Sequence, residues 1–160
     1  GTSKLVELKD LLEEIGDKQV IIWANFRFEI AKLLEMIPNS AALWSGTPDR
    51  EQVISDFKSG KMQYLIANPQ SAAHGLTFTN CNYAVYFSLN YSYKLQKQSE
   101  DRLHRIGQNT KCTYYHLIAK NTIDEVVYKA INRKADLSIE TLNYLKQGSV
   151  TRHGRQLQTA

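Results

Sequence analysis

The chain has 160 residues, the usual length of one domain. Hydrophobic residues make up 42% of it and charged residues 22%, which excludes a disordered or fibrous protein, and the formal net charge of +4 is compatible with a polyanionic partner. The longest apolar runs fall far short of the roughly 20 residues that a membrane span requires. With no export-signal pattern, we expect no membrane partner and a cytoplasmic or nucleoid-associated location.

The first half of the chain alternates between helical and extended patterns. Apolar residues at helical spacing predict a helix over residues 4–15, and the continuous apolar run over residues 20–24 predicts a strand buried on both faces. Proline suits a first helical turn, so a further helix is expected to open at Thr47-Pro48. Strands are also predicted over residues 41–44 and 64–67. Between the first two strands, a helix is predicted from an apolar stripe at Phe26, Ile30, Leu33, Leu34 and Ile37.

The second half continues this alternation. A loop over residues 68–75 precedes a predicted strand over residues 83–87, and a helix over residues 94–105 precedes one over residues 113–118. Thr122 and Glu125 have the spacing of a capping box, which predicts a C-terminal helix. Strands that alternate with helices pair in parallel, so the expected fold class is α/β: an open, mainly parallel sheet with helices on both faces. Such folds bind ligands beyond the carboxyl ends of their strands.

The cysteines and one histidine are interpreted as structural. Cys81 and Cys112 lie far apart, and neither belongs to a Cys-x-x-Cys pair. This spacing supports neither a zinc site nor a disulfide framework, so we expect both to be reduced and predict no metal site. His116 is interpreted as a strand residue, because no nucleophile can be located beside it.

The most informative segment is residues 98–108, Gln-Ser-Glu-Asp-Arg-Leu-His-Arg-Ile-Gly-Gln. In a helix, Gln98, Arg102 and Arg105 project from one face. Two guanidinium groups one turn apart repel each other unless an anion or a carboxylate such as Asp101 compensates. For an isolated Arg-x-x-Arg pair, the alternative is a solvated helix face with local ion pairs.

The whole segment resembles motif VI of the Swi/Snf-type branch of superfamily 2 helicases, with every fixed position matched. Residues 20–26 look like motif IV, residues 44–47 with Arg50 and Phe57 are similar to the segment after it, and residues 71–79 are similar to motif V, nearest the annealing-helicase group. The resemblance, from Ser3 to about Leu137, implies a RecA-like helicase C-terminal domain over residues 1–148. A polar, disordered tail is expected over residues 149–160, with a nucleic-acid-contacting extension as the alternative.

The resemblance implies ATP, with Mg²⁺, bound between two lobes. The chain has no Gly-x-x-x-x-Gly-Lys-Ser/Thr loop and no Asp-Glu-x-His box, so an N-terminal ATPase lobe of the same parent chain would hold most of both ligands. The isolated chain is therefore expected to be inactive. Arg105 would act as the arginine finger and Arg102 as its second cation. The ATP-contacting candidates are Gln98, Gly75, Asp101, Arg102 and Arg105.

The resemblance also implies sequence-independent contact with double-stranded DNA through loops at strand ends. Hydroxyl, amide and basic groups in such loops bind the phosphates and do not read the bases. Motif V is one residue shorter than the usual pattern before Gly75, which leaves the role of His74 open between loop residue and functional residue. The candidate DNA contacts are Asn25, Arg27, Thr47, Arg50, Ser71 and His74.

Two other functions remain as alternatives. One is a lobe that has lost hydrolysis and serves as a docking module for DNA or protein. The other is an RNA helicase lobe of related architecture. The two arginines of residues 98–108 disfavour the first, because a retired site does not need two repelling cations.

Overall fold

A computed structural model describes residues 2–70, 78–88, 97–99, 111–119, 122–132 and 150–157. The helices are α1 (Thr2–Ile15), α2 (Arg27–Met36), α3 (Arg50–Lys58) and α4 (Ile123–Asn132). The strands are β1 (Val20–Trp23), β2 (Ser40–Leu43), β3 (Tyr64–Ala67), β4 (Tyr83–Tyr86), β5 (Cys112–Ala119) and β6 (Val150–Leu157). Residues 97–99 are helical. Within these ranges, none of the helices combines the length and apolar character needed to cross a bilayer.

The strands form one sheet in the order β2-β3-β1-β4-β5-β6. The first five strands are parallel, and β6 is antiparallel to β5. This confirms the predicted α/β class with a mainly parallel sheet. Because β1 pairs with both β3 and β4, its carboxyl end lies at the middle of the edge where such folds bind ligands.

Two hydrophobic cores cover the two faces of the sheet. Successive strand residues point to opposite faces, so Ile22 packs in the core formed with α1 and α2, whereas Trp23 packs in the core formed with α3 and α4. Leu8 and Phe57 are at most 1% exposed and represent these two cores. Burial on both faces is the reason that β1, β3 and β4 are short continuous apolar runs.

The end of the chain differs from the disordered tail expected over residues 149–160. Val150–Leu157 form β6, which pairs with the full length of β5 from Cys112↔Leu157 to Ala119↔Val150. Without β6, the eight-residue strand β5 would present unpaired backbone groups at a sheet edge, and pairing satisfies them. The sheet therefore extends beyond the boundary predicted at residue 148.

Part of the apolar stripe predicted for the second helix faces solvent. Ile30, Leu33 and Ile37 are buried as expected, but Phe26 is 48% exposed and Leu34 is 41% exposed. Phe26 precedes the helix, which begins at Arg27, so helical spacing does not set its direction. Leu34 is displaced by about 100° from Leu33 around the helix and so turns away from the core.

Cys81 is expected to resist alkylation in the folded protein. Desolvation by burial raises the pKa of its thiol from 9.0 to about 12, so the reactive thiolate is scarce at neutral pH. As the pH rises, the thiol ionises in the unfolded chain before it ionises in the folded protein, which favours unfolding. The contribution of this thiol to the free energy of unfolding is therefore complete below pH 9 and declines as the pH rises towards 12. Iodoacetamide labelling followed by mass spectrometry, with and without denaturant, measures the difference. Rapid labelling of Cys81 in the native protein would contradict the burial.

Candidate functional site at the carboxyl edge of the sheet

A hydrogen-bond network joins the carboxyl ends of β1, β3 and β4. The backbone N–H of Asn25 donates to Ser88 Oγ at 2.8 Å, and its side-chain Nδ2 donates to the Ser88 carbonyl at 2.9 Å. Asn68 Nδ2 donates to the Asn25 carbonyl at 3.1 Å, and Ser88 Oγ donates to Glu29 Oε1 at 2.6 Å. Asn25, predicted to contact DNA, thus holds three strand ends in place.

A tight turn after β2 is closed by Thr47. Its hydroxyl accepts from the Trp44 N–H at 2.9 Å and donates to the Ala42 carbonyl at 3.2 Å. Its own backbone N–H donates to the Trp44 carbonyl at 3.0 Å. The hydroxyl proposed as a phosphate contact therefore also fixes the shape of the loop.

Arg27 connects this turn to the end of β1. The guanidinium carbon of Arg27 lies 4.3 Å from the centroid of the Trp44 ring, a cation–π distance. Arg27 is exposed, and Arg50 begins α3 after the same turn. The structure thus brings Asn25, Arg27, Thr47 and Arg50 to the carboxyl ends of two strands. Two other predicted DNA contacts, Ser71 and His74, lie outside the described residues.

Gly46 is required by the packing of Trp44. A Cβ atom at position 46 would lie 2.1 Å from an atom of the Trp44 ring, so Gly46→Ala must displace the indole from its place beneath Arg27. We expect the substitution to cost about 1–3 kcal/mol of stability. It should also shift the Trp44 fluorescence. Urea unfolding and emission spectra test this, with exposed Ser45→Ala as the matched control. Equal stability and equal spectra for Gly46→Ala and the wild type would contradict the clash with the Trp44 ring.

Gln98 is the only predicted ATP-contacting residue among those described, and its neighbour anchors it to the sheet. Gln98 is half-buried, and the Ser99 hydroxyl lies 2.8 Å from the Tyr86 hydroxyl of β4, both buried. Gly75, Asp101, Arg102 and Arg105 lie outside the described residues. Among the described residues, no group of three or more His, Cys, Asp or Glu could hold a metal ion.

Tyr86 belongs to an aromatic stack that crosses the sheet. Its ring stacks on His116 at 4.7 Å and on Trp23 at 6.4 Å, and the three residues are register partners on β4, β5 and β1. Tyr128 of α4 packs against His116 at 5.1 Å. The interpretation of His116 as a strand residue is confirmed. Ser99 was not predicted from the sequence, and its buried contact with Tyr86 shows that it faces the sheet.

A largely buried ion pair, which was not predicted from the sequence, connects α1 to α4. Lys4 Nζ lies 2.7 Å from Asp124 Oδ2 and donates to the Phe87 carbonyl at 2.8 Å. Asp124 Oδ2 also accepts from the Ala119 N–H at 3.1 Å, while Thr122 Oγ1 accepts from the Asp124 N–H at 3.2 Å. Thr122 therefore caps the start of α4, but through the Asp124 N–H and not through the Glu125 N–H that a capping box would use. The ion pair lies beside Ser88 at the same edge of the sheet. One lysine and one aspartate in two helical first turns carry little signal in the sequence.

Comparisons with known proteins agree with this architecture. Residues 3–107 match the helicase conserved C-terminal domain. The chain is 36% identical over 100 residues to the DNA annealing helicase and endonuclease ZRANB3 of Mus musculus, covering 62% of this chain and 9% of that protein. It is 28% identical over 145 residues to the ATP-dependent helicase fft1 of Schizosaccharomyces pombe, covering 85% of this chain and 15% of that protein.

The fold is shared with the solved structure of part of an ATPase domain. The C-terminal part of the Fun30 ATPase domain superposes with a TM-score of 0.70 at 23% identity, over 89% of this chain and 48% of that one. The chain thus spans only a small part of the relatives named above. The family match covers more than half of the chain and includes residues 98–107. The chain therefore belongs to the helicase conserved C-terminal domain family, and its resemblance to the Swi/Snf-type branch of superfamily 2 is confirmed.

Proposed function

We propose that this chain is the second motor lobe of a DNA-dependent ATPase, a Swi/Snf-like translocase or helicase. The observation that carries the proposal is the family match over residues 3–107, which includes Arg102 and Arg105. Relatives named as an ATP-dependent helicase and a DNA annealing helicase support ATP and DNA as ligands. ATP with Mg²⁺ binds at the interface with an N-terminal ATPase lobe, which supplies the phosphate loop and the carboxylates for the metal.

The nucleotide-facing role belongs to the segment of residues 98–108, which begins with Gln98. Arg105 stabilises the charge that develops on the γ-phosphate, Arg102 is the second cation, and Asp101 holds an arginine in place. Gln98 orients the site by hydrogen bonding, and Gly75 lets the motif V backbone approach the nucleotide. The Ser99–Tyr86 hydrogen bond supports this arrangement, because it fixes the helical turn on a buried aromatic stack.

The DNA-facing role belongs to the loops at the strand ends. Arg27 and Arg50 supply positive charge, while Asn25 and Thr47 hold the loops in a defined shape. Ser71 and His74 of motif V complete the contact. Since phosphates are the same at every step of a duplex, binding is independent of sequence and weakens with salt.

The test is the steady-state ATPase rate of the full-length protein with and without double-stranded DNA. We expect strong stimulation by DNA, weaker stimulation by RNA, and no hydrolysis by the 160-residue chain alone, because it lacks a phosphate loop. A full-length protein whose ATPase rate ignored all polynucleotides would overturn the proposal.

A further inference from the structure

Two neighbouring phenylalanines are exposed at the carboxyl edge. Phe28 is 72% exposed and Phe26 is 48% exposed, although α2 buries other apolar residues against the sheet. Their rings stack on each other, with centroids 5.6 Å apart and planes inclined by 16°. Exposed aromatic rings that lie together are characteristic of binding surfaces.

A cation accompanies these rings. Arg27 lies between the two phenylalanines in the chain, and its guanidinium is held over Trp44 at 4.3 Å. The acid two residues further along the chain, Glu29, accepts a hydrogen bond from Ser88 at 2.6 Å. Two exposed aromatic rings with an arginine between them in the chain match the two parts of a nucleotide, a flat base and a phosphate.

We propose that Phe26 and Phe28 form a stacking surface for an unpaired base of a DNA strand, with a phosphate of the same strand on Arg27. The inference rests on the proposed DNA-binding function and adds a preference for DNA that contains unpaired nucleotides. A base within a duplex is already stacked on both sides. The exposed phenylalanine rings can therefore stack only on a base that is outside the double helix. A purely apolar protein partner would have no use for the cation at Arg27.

The experiment compares three labelled probes on the 160-residue chain by fluorescence anisotropy: a short duplex, the same duplex with a central unpaired thymine bulge, and oligothymidylate. We expect the bulged and single-stranded probes to bind several-fold more tightly than the duplex. Phe28→Ala should weaken binding of those two probes about fivefold or more, since stacking of one base on an aromatic ring has that effect. Duplex affinity should change little.

Three variants make the result specific. Phe28→Trp should retain the preference, because it keeps an aromatic face, and Leu34→Ala, which removes another exposed apolar side chain of α2, should change nothing. Arg27→Ala should weaken all probes and reduce the dependence on salt by about one phosphate contact. Circular dichroism confirms that each variant is folded.

The outcomes separate the two proposals. Equal affinity of wild type and Phe28→Ala for the unpaired probes, with duplex binding intact, would overturn the stacking surface and favour a protein contact for these rings. Absence of binding to every probe at low salt would instead count against the DNA-binding function itself.

Discussion

Arg105→Ala is expected to lower kcat for ATP hydrolysis by the full-length protein by about 10³- to 10⁵-fold. That loss corresponds to roughly 4–7 kcal/mol of transition-state stabilisation. The KM for ATP should change little, because the charge that the guanidinium stabilises develops fully only in the transition state. Steady-state rates at saturating double-stranded DNA, over a range of ATP concentrations, separate the two constants.

The controls distinguish the finger from a general loss of charge. Arg105→Lys keeps the positive charge but loses the planar, forked donor, so it should recover only part of the rate. Lys97→Ala removes an exposed cation eight residues before Arg105 in the chain and should leave kcat near the wild-type value. If Arg105→Ala turned over ATP as fast as wild type, residues 98–108 would be a relic, and a docking module would become the better explanation.

The five parallel strands were predictable because burial on both faces of the sheet leaves apolar runs in the sequence. Residues buried on both faces of a parallel sheet must all be apolar, and Tyr64–Ala67 was predicted with the bounds that the structure gives. The exposure of Phe26 was not predictable, because periodicity cannot show that the helix begins one residue later. β6 was missed because its residues look like a polar terminus, and its stability comes from pairing with β5.

The position of the candidate site was more predictable than the contacts within it. Asn25 and Thr47 follow predicted strands, so their place at the carboxyl edge follows from the alternation of strands and helices. The hydrogen-bond partners at this edge do not follow from that alternation. Asn25 and Ser88 are 63 residues apart in sequence, and Lys4 and Phe87 are 83 residues apart. Such long-range hydrogen bonds depend on the packed fold and leave no local pattern.

Lys4→Met is expected to destabilise the fold by about 3–5 kcal/mol. The Lys4 and Asp124 side chains are only 10% and 18% exposed, so water replaces the lost partner poorly. Removing the ammonium takes away the ion-pair partner of the Asp124 carboxylate, which keeps its hydrogen bond from the Ala119 N–H, and it also removes the hydrogen bond that Lys4 donates to the Phe87 carbonyl. Urea unfolding followed by circular dichroism measures the change, with Lys9→Met on the exposed side of α1 as the matched control.

A double substitution shows whether the ion pair or the orphaned charge determines this loss. Lys4→Met combined with Asp124→Leu leaves no buried charge, so its cost should be clearly less than the sum of the two single costs. Strict additivity would mean that the two groups do not interact in solution. The pair joins the first turn of α1 to the first turn of α4, next to the Phe87 carbonyl at the end of β4. A strong coupling would therefore show that the ion pair ties these two helices together at the carboxyl edge of the sheet.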